Sequence, residues 1–341
     1  MKLFNEEFGK EQIRQRFDNL DVIADARESV VVNGKSCGVK TIDVATGSGL
    51  HFTVVPSRGM DIAFADFQGA PLAYVSKTGI VHPSYFEKDG LNFMRSFFCG
   101  LMTTRGLTYM GAPCNDEGVE LGLHGRINHT PAENYKIEKK WVDNDYVIQI
   151  EGKVRESCVF GENVTLTRQI TTKMGSNSLK VHDVIENEGF KEQPLMILYH
   201  CNFGFPIVSP DSRISISEPY KVEARDAYGD VDRCHTFEDP QTGYAEQVFL
   251  YSVDRNSKDC TVCVHNNRLK IGVRLTYHPE QLPYLSEWKV MDCDEYVMGI
   301  EPSNWTVYGR SEARKRKELT FLQPGEKKEI DLEFSVIDER S

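Results

Sequence analysis

The sequence predicts an all-β protein built mostly from antiparallel strands, and three observations carry that expectation. First, β-branched and aromatic residues alternate with polar ones at period two, as in "YKIEKKWVDNDYVIQIEGKVRES" and "NVTLTRQITTKMGSNSLKVHDVIENEG", the pattern of strands with one buried face. Second, turn signals (Asn-Gly, Asp-Asn-Asp, Gly-Ser-Asn-Ser) separate the runs at hairpin spacing. Third, there is no glycine-rich phosphate loop and no strand–helix alternation of the Rossmann or TIM-barrel kind. The chain has 341 residues, 40% apolar and 27% charged, ample material for one large core. No linker, repeat or low-complexity tract divides it, so a single domain spanning residues 1–341 is expected.

Taken in order, residues 1–25 read as an N-terminal extension in which "NEEFGKEQIRQRFDNL" forms one short helix. The segment "SVVVNGKSCGVKTIDVATGSGLHFTVVPSRGMDIAFADFQG" reads as several short strands. The two alternating stretches quoted above follow, then the apolar strand "LMILYHCNFGFPIV". "CTVCVHNNRLKIGVRLTYHPEQLPYLSEWKVM", "YVMGIEPSNW" and "KKEIDLEFSVID" complete the strands, with a helical turn or two in "SEARKRKEL".

The net charge of −11 and pI near 5.4 disfavour phosphate backbones and anionic lipid, so nucleic-acid and membrane partners are not expected. The N-terminus lacks the apolar core of a signal peptide, and no run approaches a membrane span. Nine scattered cysteines fit reduced thiols, hence a cytoplasmic protein. Cys260 and Cys263 form a C-x-x-C near His265, but no second ligand pair has zinc spacing, so they read as strand residues.

Four polar clusters sit against apolar flanks. Arg58 lies just past a strand in "TVVPSRGMDIAF". His124 stands in "GLHGRINHTPAE", with glycines that permit a close backbone approach. His200 and Asn202 share one face of their strand, because side chains alternate; burial there depresses the histidine's pKa. Glu301 ends the apolar run Tyr296–Ile300, and Pro302 holds it extended. Partial burial raises its pKa toward the working range of a general base. Two histidines and one glutamate on distant apolar β-segments form an acid–base set without metal-like spacing. Trp288, Trp305, Tyr199 and Phe203 are candidate flat faces for sugar rings, with arginine and asparagine gripping hydroxyls.

From about residue 25 to 335 the chain resembles the aldose 1-epimerase (galactose mutarotase)-like superfamily, and within it the DUF4432 branch. The resemblance rests on "PSRGMDI", "FCGLMTTRGL", "GLHGR…PAE", "LYHCNFGFP", "LPYLSEWKVM…YVMGIEPSN" and "LQPGE". It implies a single-domain β-supersandwich with a broad cleft over one sheet. "LHGR" looks like the superfamily's "HGG" turn, giving His124; "YHCNFGF" is similar to its "NHxYFN" strand, giving His200; and "MGIEPSN" matches its glutamate segment, giving Glu301. Arg58 and Arg126 are candidates for the sugar-contacting arginine. The chain departs from the branch at Arg105, where "TTCGL" is usual, and at Glu287, where "QWK" is usual; both are candidates for retuning the pocket, and Arg126 replaces the second glycine of "HGG".

The resemblance thus implies anomerisation of a free sugar, with no redox cofactor and no metal. Glu301 takes the anomeric hydroxyl proton, His200 protonates the ring oxygen and His124 hydrogen-bonds the substrate. Arg58, Arg105, Arg126, Asn202, Glu287, Trp288 and Trp305 are the expected substrate contacts. Convergence of Arg58, Arg105, Arg126 and Lys289 would suit an anionic sugar. A homodimer is compatible with this reading. A non-catalytic sugar-binding or sensing protein, or another carbohydrate isomerase or lyase, remains an alternative on the same fold.

Overall fold

A computed structural model describes residues 1–340. Among these residues, the strands assemble into two large antiparallel sheets, one smaller sheet and two short hairpins. The larger sheet has eight strands, in the order Ala132–Val142, Asp145–Ser157, Asn163–Lys173, Ser178–Asn187, Lys327–Asp338, Ile271–Tyr277, Cys260–Asn266 and Ser212–Ile216. The second runs Tyr220–Ala224, Gln247–Val253, Tyr284–Met291, Tyr296–Ser303, Gln193–Gly204 and Thr320–Leu322, with Thr103–Leu107 also pairing with Gln193–Gly204. A five-stranded meander of residues 25–71 adjoins them, bridged to the second sheet's neighbourhood through Ile62 and Met102. The fold is the all-β sandwich expected.

Alternation explains the layers. One continuous core joins Val264, Leu275 and Phe334 of the eight-stranded sheet, Tyr199, Phe249 and Met298 of the second sheet, and Ile42, Val54 and Ile62 of the meander. Each such buried side chain contributes about 1.5–3 kcal/mol of transfer free energy. Between the layers, fully buried Arg168 donates to Asp61 at 2.9 Å and to Asp183 at 2.6 Å, and Tyr199 donates its hydroxyl to Asp183 at 2.7 Å. Buried charge is tolerated here because each carboxylate has several donors.

Two expectations are sharpened. The N-terminal helix shrinks to Lys10–Arg14, too short to be stable alone; it survives by packing, since its Ile13 is buried in the main core. The run before Glu301 does not stop there: the strand continues to Ser303, with Glu301 opposite Ser286 and Pro302 opposite Leu285. Cys260 and Cys263 fall on one strand, three residues apart, so they face opposite sides and share no ligand.

Candidate active site

The outer face of the second sheet carries the site. Along Gln193–Gly204, Tyr199, Cys201 and Phe203 point into the core, so His200 and Asn202 point outward. Along Tyr296–Ser303, Met298 and Ile300 point inward and Gly299 and Glu301 outward. The register sets Cys201 opposite Ile300 and Leu198 opposite Ser303, which brings His200 beside Glu301. The His200 Nε2 and Glu301 Oε1 atoms lie 3.0 Å apart, both residues only 3% exposed.

His124 arrives from a separate turn. Its φ of 61° and the φ of 78° at Gly125 are left-handed, conformations for which glycine is suited. A Cβ on Gly125 would stand 2.3 Å from the Gly106 carbonyl oxygen, so only glycine fits. The turn is anchored by His124 N–H donating to the Gly111 carbonyl and Gly106 N–H donating to that of His124. The imidazoles of His124 and His200 are then edge to face, 6.1 Å between centroids.

These three residues line one cavity of about 340 Å³, together with Leu91, Phe97, Arg225, Glu246 and Trp288 among others. That size and its mostly apolar wall suit a small ligand. Trp288 stands edge to face against His200 at 5.3 Å and donates its indole N–H to Glu246 at 2.7 Å, which fixes the ring. Gly299 opens the centre: a Cβ there would lie 3.1 Å from His200 Cε1, 3.2 Å from Glu301 Oε1 and 3.2 Å from Trp288 Cε3.

Burial dominates the electrostatics. It pushes the Glu301 carboxyl up to about 8, against the opposing pull of Arg105. It holds His200 well below the ordinary histidine range, with Arg105 and His124 adding to the effect, and does the same to His124. Both directions favour a neutral resting pair, carboxyl against imidazole. Arg105 is the common neighbour. It is fully buried behind the pocket, with its guanidinium 4.1 Å from the Phe97 ring centroid and 4.5 Å from that of Phe93. It donates one hydrogen bond, to Thr103 Oγ1 at 3.1 Å, and its Nε and Nη1 have no partner.

The structure therefore gathers Glu301, His200, His124 and Trp288, with Arg105 directly behind them. The other expected contacts do not reach the cavity. Arg58 is buried and donates to the carbonyls of Asn128, Val81 and Ser96 and to Asn128 Oδ1 at 2.6–2.9 Å, so four of its five N–H donors are engaged within the fold. Arg126 lines a different recess and pairs with Glu162 at 3.4 Å. Asn202 donates to the Gly100 and His200 carbonyls and braces the strand. Glu287 precedes Trp288 and faces the opposite side of the sheet. Trp305 packs with Met110, Met196 and Leu198 and donates to Glu318. Tyr199 and Phe203 face the core by alternation, and Lys289 is held by the Thr236 carbonyl and Glu238. Arg225 and Glu246 carry no signal in the sequence, because nothing in "KVEARDAYG" or "GYAEQVF" marks a site until the sheet brings them beside Trp288.

A family model described as a domain of unknown function, DUF4432, matches residues 36–336. The chain belongs to the DUF4432 family. Among solved structures, this DUF4432 protein is similar to a protein provisionally named aldose 1-epimerase from Klebsiella pneumoniae subsp. pneumoniae, with 26% identity, a TM-score of 0.86, and 97% of this chain and 87% of that one covered. It shares its fold with a galactose mutarotase-like protein from Clostridium acetobutylicum at 15% identity and TM-score 0.63, covering 93% of this chain and 99% of that one. It shares it also with galactose 1-epimerase from Lactobacillus acidophilus at 11% identity and TM-score 0.56, covering 92% and 98% respectively. No curated protein matches the chain by sequence. No helix among the described residues is long and apolar enough to cross a membrane.

Proposed function

We propose that this DUF4432 protein is an aldose 1-epimerase-like enzyme that interconverts the α and β anomers of a free sugar. The observation that carries the reading is the 3.0 Å contact between His200 Nε2 and Glu301 Oε1 on the wall of a cavity of about 340 Å³. The resting pair is neutral. Moving its proton from Glu301 to His200 arms a base and an acid together. Glu301 then takes the proton of the C1 hydroxyl while His200 protonates the ring oxygen, the C1–O5 bond breaks, and the open-chain aldehyde forms. This step leaves the carboxyl protonated and the imidazole neutral. After rotation about C1–C2, closure on the other face reverses both transfers. Each positioned acid or base contributes about 10²–10⁴-fold. His124 hydrogen-bonds the substrate where charge develops, and Trp288 offers a fixed flat face to the ring.

The placement of the cations favours a neutral sugar, since among the described residues Arg225 is the one cationic side chain lining the cavity. Arg225 is engaged by Asp226 at 2.7 Å and Glu246 at 3.0 Å, Arg58, Arg126 and Lys289 are occupied elsewhere, and Arg105 is shielded by Phe97 and Phe93. The test is NMR exchange spectroscopy of anomer interconversion across neutral hexoses, pentoses and deoxysugars, with sugar acids and sugar phosphates for contrast. Enzyme-dependent exchange with a neutral sugar, abolished in Glu301→Gln, is the expected result. Tight calorimetric binding without exchange would instead make this a sugar-binding protein.

A further inference from the structure

Beneath the sheet that carries the cavity lies a second cluster, on the side facing the core. Glu287 is one residue before Trp288 on Tyr284–Met291, so alternation sends its carboxylate to the opposite face. There it meets Cys234 and His235, which follow the short 3₁₀ turn Val231–Arg233. The Cys234 Sγ atom, a ring nitrogen of His235 and a carboxylate oxygen of Glu287 all lie within 4.8 Å of one another. Cys234 is 3% exposed and Glu287 is wholly buried.

The cluster is incompletely partnered within the protein. Glu287 Oε2 accepts from the Tyr251 hydroxyl at 2.7 Å, but Glu287 Oε1 and His235 Nε2 are buried with no hydrogen-bond partner. Unpaired buried polar atoms are costly, so their clustering beside a thiol calls for an explanation. Lys289, two residues along the same face, does not supply it, because its Nζ donates to the Thr236 carbonyl at 2.6 Å and contacts Glu238 at 3.1 Å.

We infer that Cys234, His235 and Glu287 bind a divalent transition-metal ion of the zinc class. Thiolate, imidazole and carboxylate together are the donor set of a borderline-soft ion, whereas magnesium and calcium take oxygen ligands. Three protein donors leave a fourth tetrahedral position for a water. The Tyr251 hydroxyl already orients the carboxylate, as partners outside a metal's ligand shell commonly do. The site has a mechanical consequence. The His235 carbonyl accepts from Ile214 N–H at 3.2 Å on the edge strand of the eight-stranded sheet, and Glu287 belongs to the second sheet. A bound ion therefore clips the segment that closes this edge of the sandwich to the underside of the strand bearing Trp288. This inference stands independently of the proposed catalysis.

The test uses the full chain, treated with chelator, dialysed, and titrated with Zn²⁺ or Co²⁺ alone. One ion per chain by elemental analysis is expected, with a thiolate-to-cobalt charge-transfer band in the Co²⁺ form. That band disappears in Cys234→Ser and persists in Cys263→Ser, which controls for the remaining cysteines. Zn²⁺ should raise the Tm of the parent protein and not that of Glu287→Gln, a near-isosteric change that keeps the readout available if Cys234→Ser fails to fold. No stoichiometric uptake, or the same uptake in Cys234→Ser and Glu287→Gln as in the parent, overturns the inference.

Discussion

Replacing Glu301 by glutamine tests both the chemistry and the electrostatics of the site. The side chain keeps its size, and its amide can still donate to His200, but it can no longer take a proton. Loss of a positioned base should slow anomer exchange by about 10²–10⁴-fold. The stability readout needs no substrate. Burial holds the Glu301 carboxyl at about 8 in the folded chain, against an ordinary value of 4.5. The folded state therefore binds the extra proton between those values, and stability falls as pH rises through that window. Each pH step within it costs about 1.4 kcal/mol, so by pH 8 the burden approaches a ceiling of about 4–5 kcal/mol. Glutamine carries no such burden. Urea denaturation should show parent and variant close together near pH 5 and the variant more stable at pH 8. A gap that stays constant with pH would refute the buried-carboxyl argument, and undiminished exchange would refute the assignment of the base.

Three further changes probe the surrounding residues. Arg105→Met removes the cation that lowers the pKa of Glu301, His200 and His124 alike. All three should move upward, seen as a pH–rate profile displaced to higher pH and as upward-shifted histidine titrations by NMR. Gly299→Ala puts a methyl 3.1–3.2 Å from His200, Glu301 and Trp288. We expect the fold to hold by circular dichroism while KM or Kd for the sugar rises by about tenfold or more, equal to about 1.4 kcal/mol. Arg58→Met should destabilise by about 3–5 kcal/mol, since it strands several buried acceptors. Urea midpoints at neutral pH check this, and the exchange rate of the folded fraction should be unchanged.

Much of the site was legible because strand periodicity is local. That His200 and Asn202 share a face follows from two-residue alternation, and the same rule turns Tyr199 and Phe203 inward. His124 and Glu301 stand in motifs that the family resemblance marks from sequence alone. The arginines were harder. Arg58, Arg105 and Arg126 each follow a plausible turn or strand, and one-dimensional context does not reveal which carbonyls await a donor. Arg58 found four acceptors, Arg126 found Glu162 in another recess, and Arg105 found two aromatic rings and the space behind the His200–Glu301 pair. Glu287 and Trp288 make the same point within one dipeptide, since adjacent strand residues serve opposite faces.

The sequence by itself determined an all-β antiparallel sandwich, the family, and a short set of residues capable of proton transfer. Period-two burial and turn chemistry act over a few residues and are written directly in the chain. The 3.0 Å approach of His200 to Glu301, 101 positions apart in the chain, was decided only by the tertiary structure, as were the shift of the carboxyl to about 8 and the pairing of Arg225 with Glu246. Register between distant strands and desolvation by the closed sandwich are properties of the whole assembled sheet, and no local segment contains them.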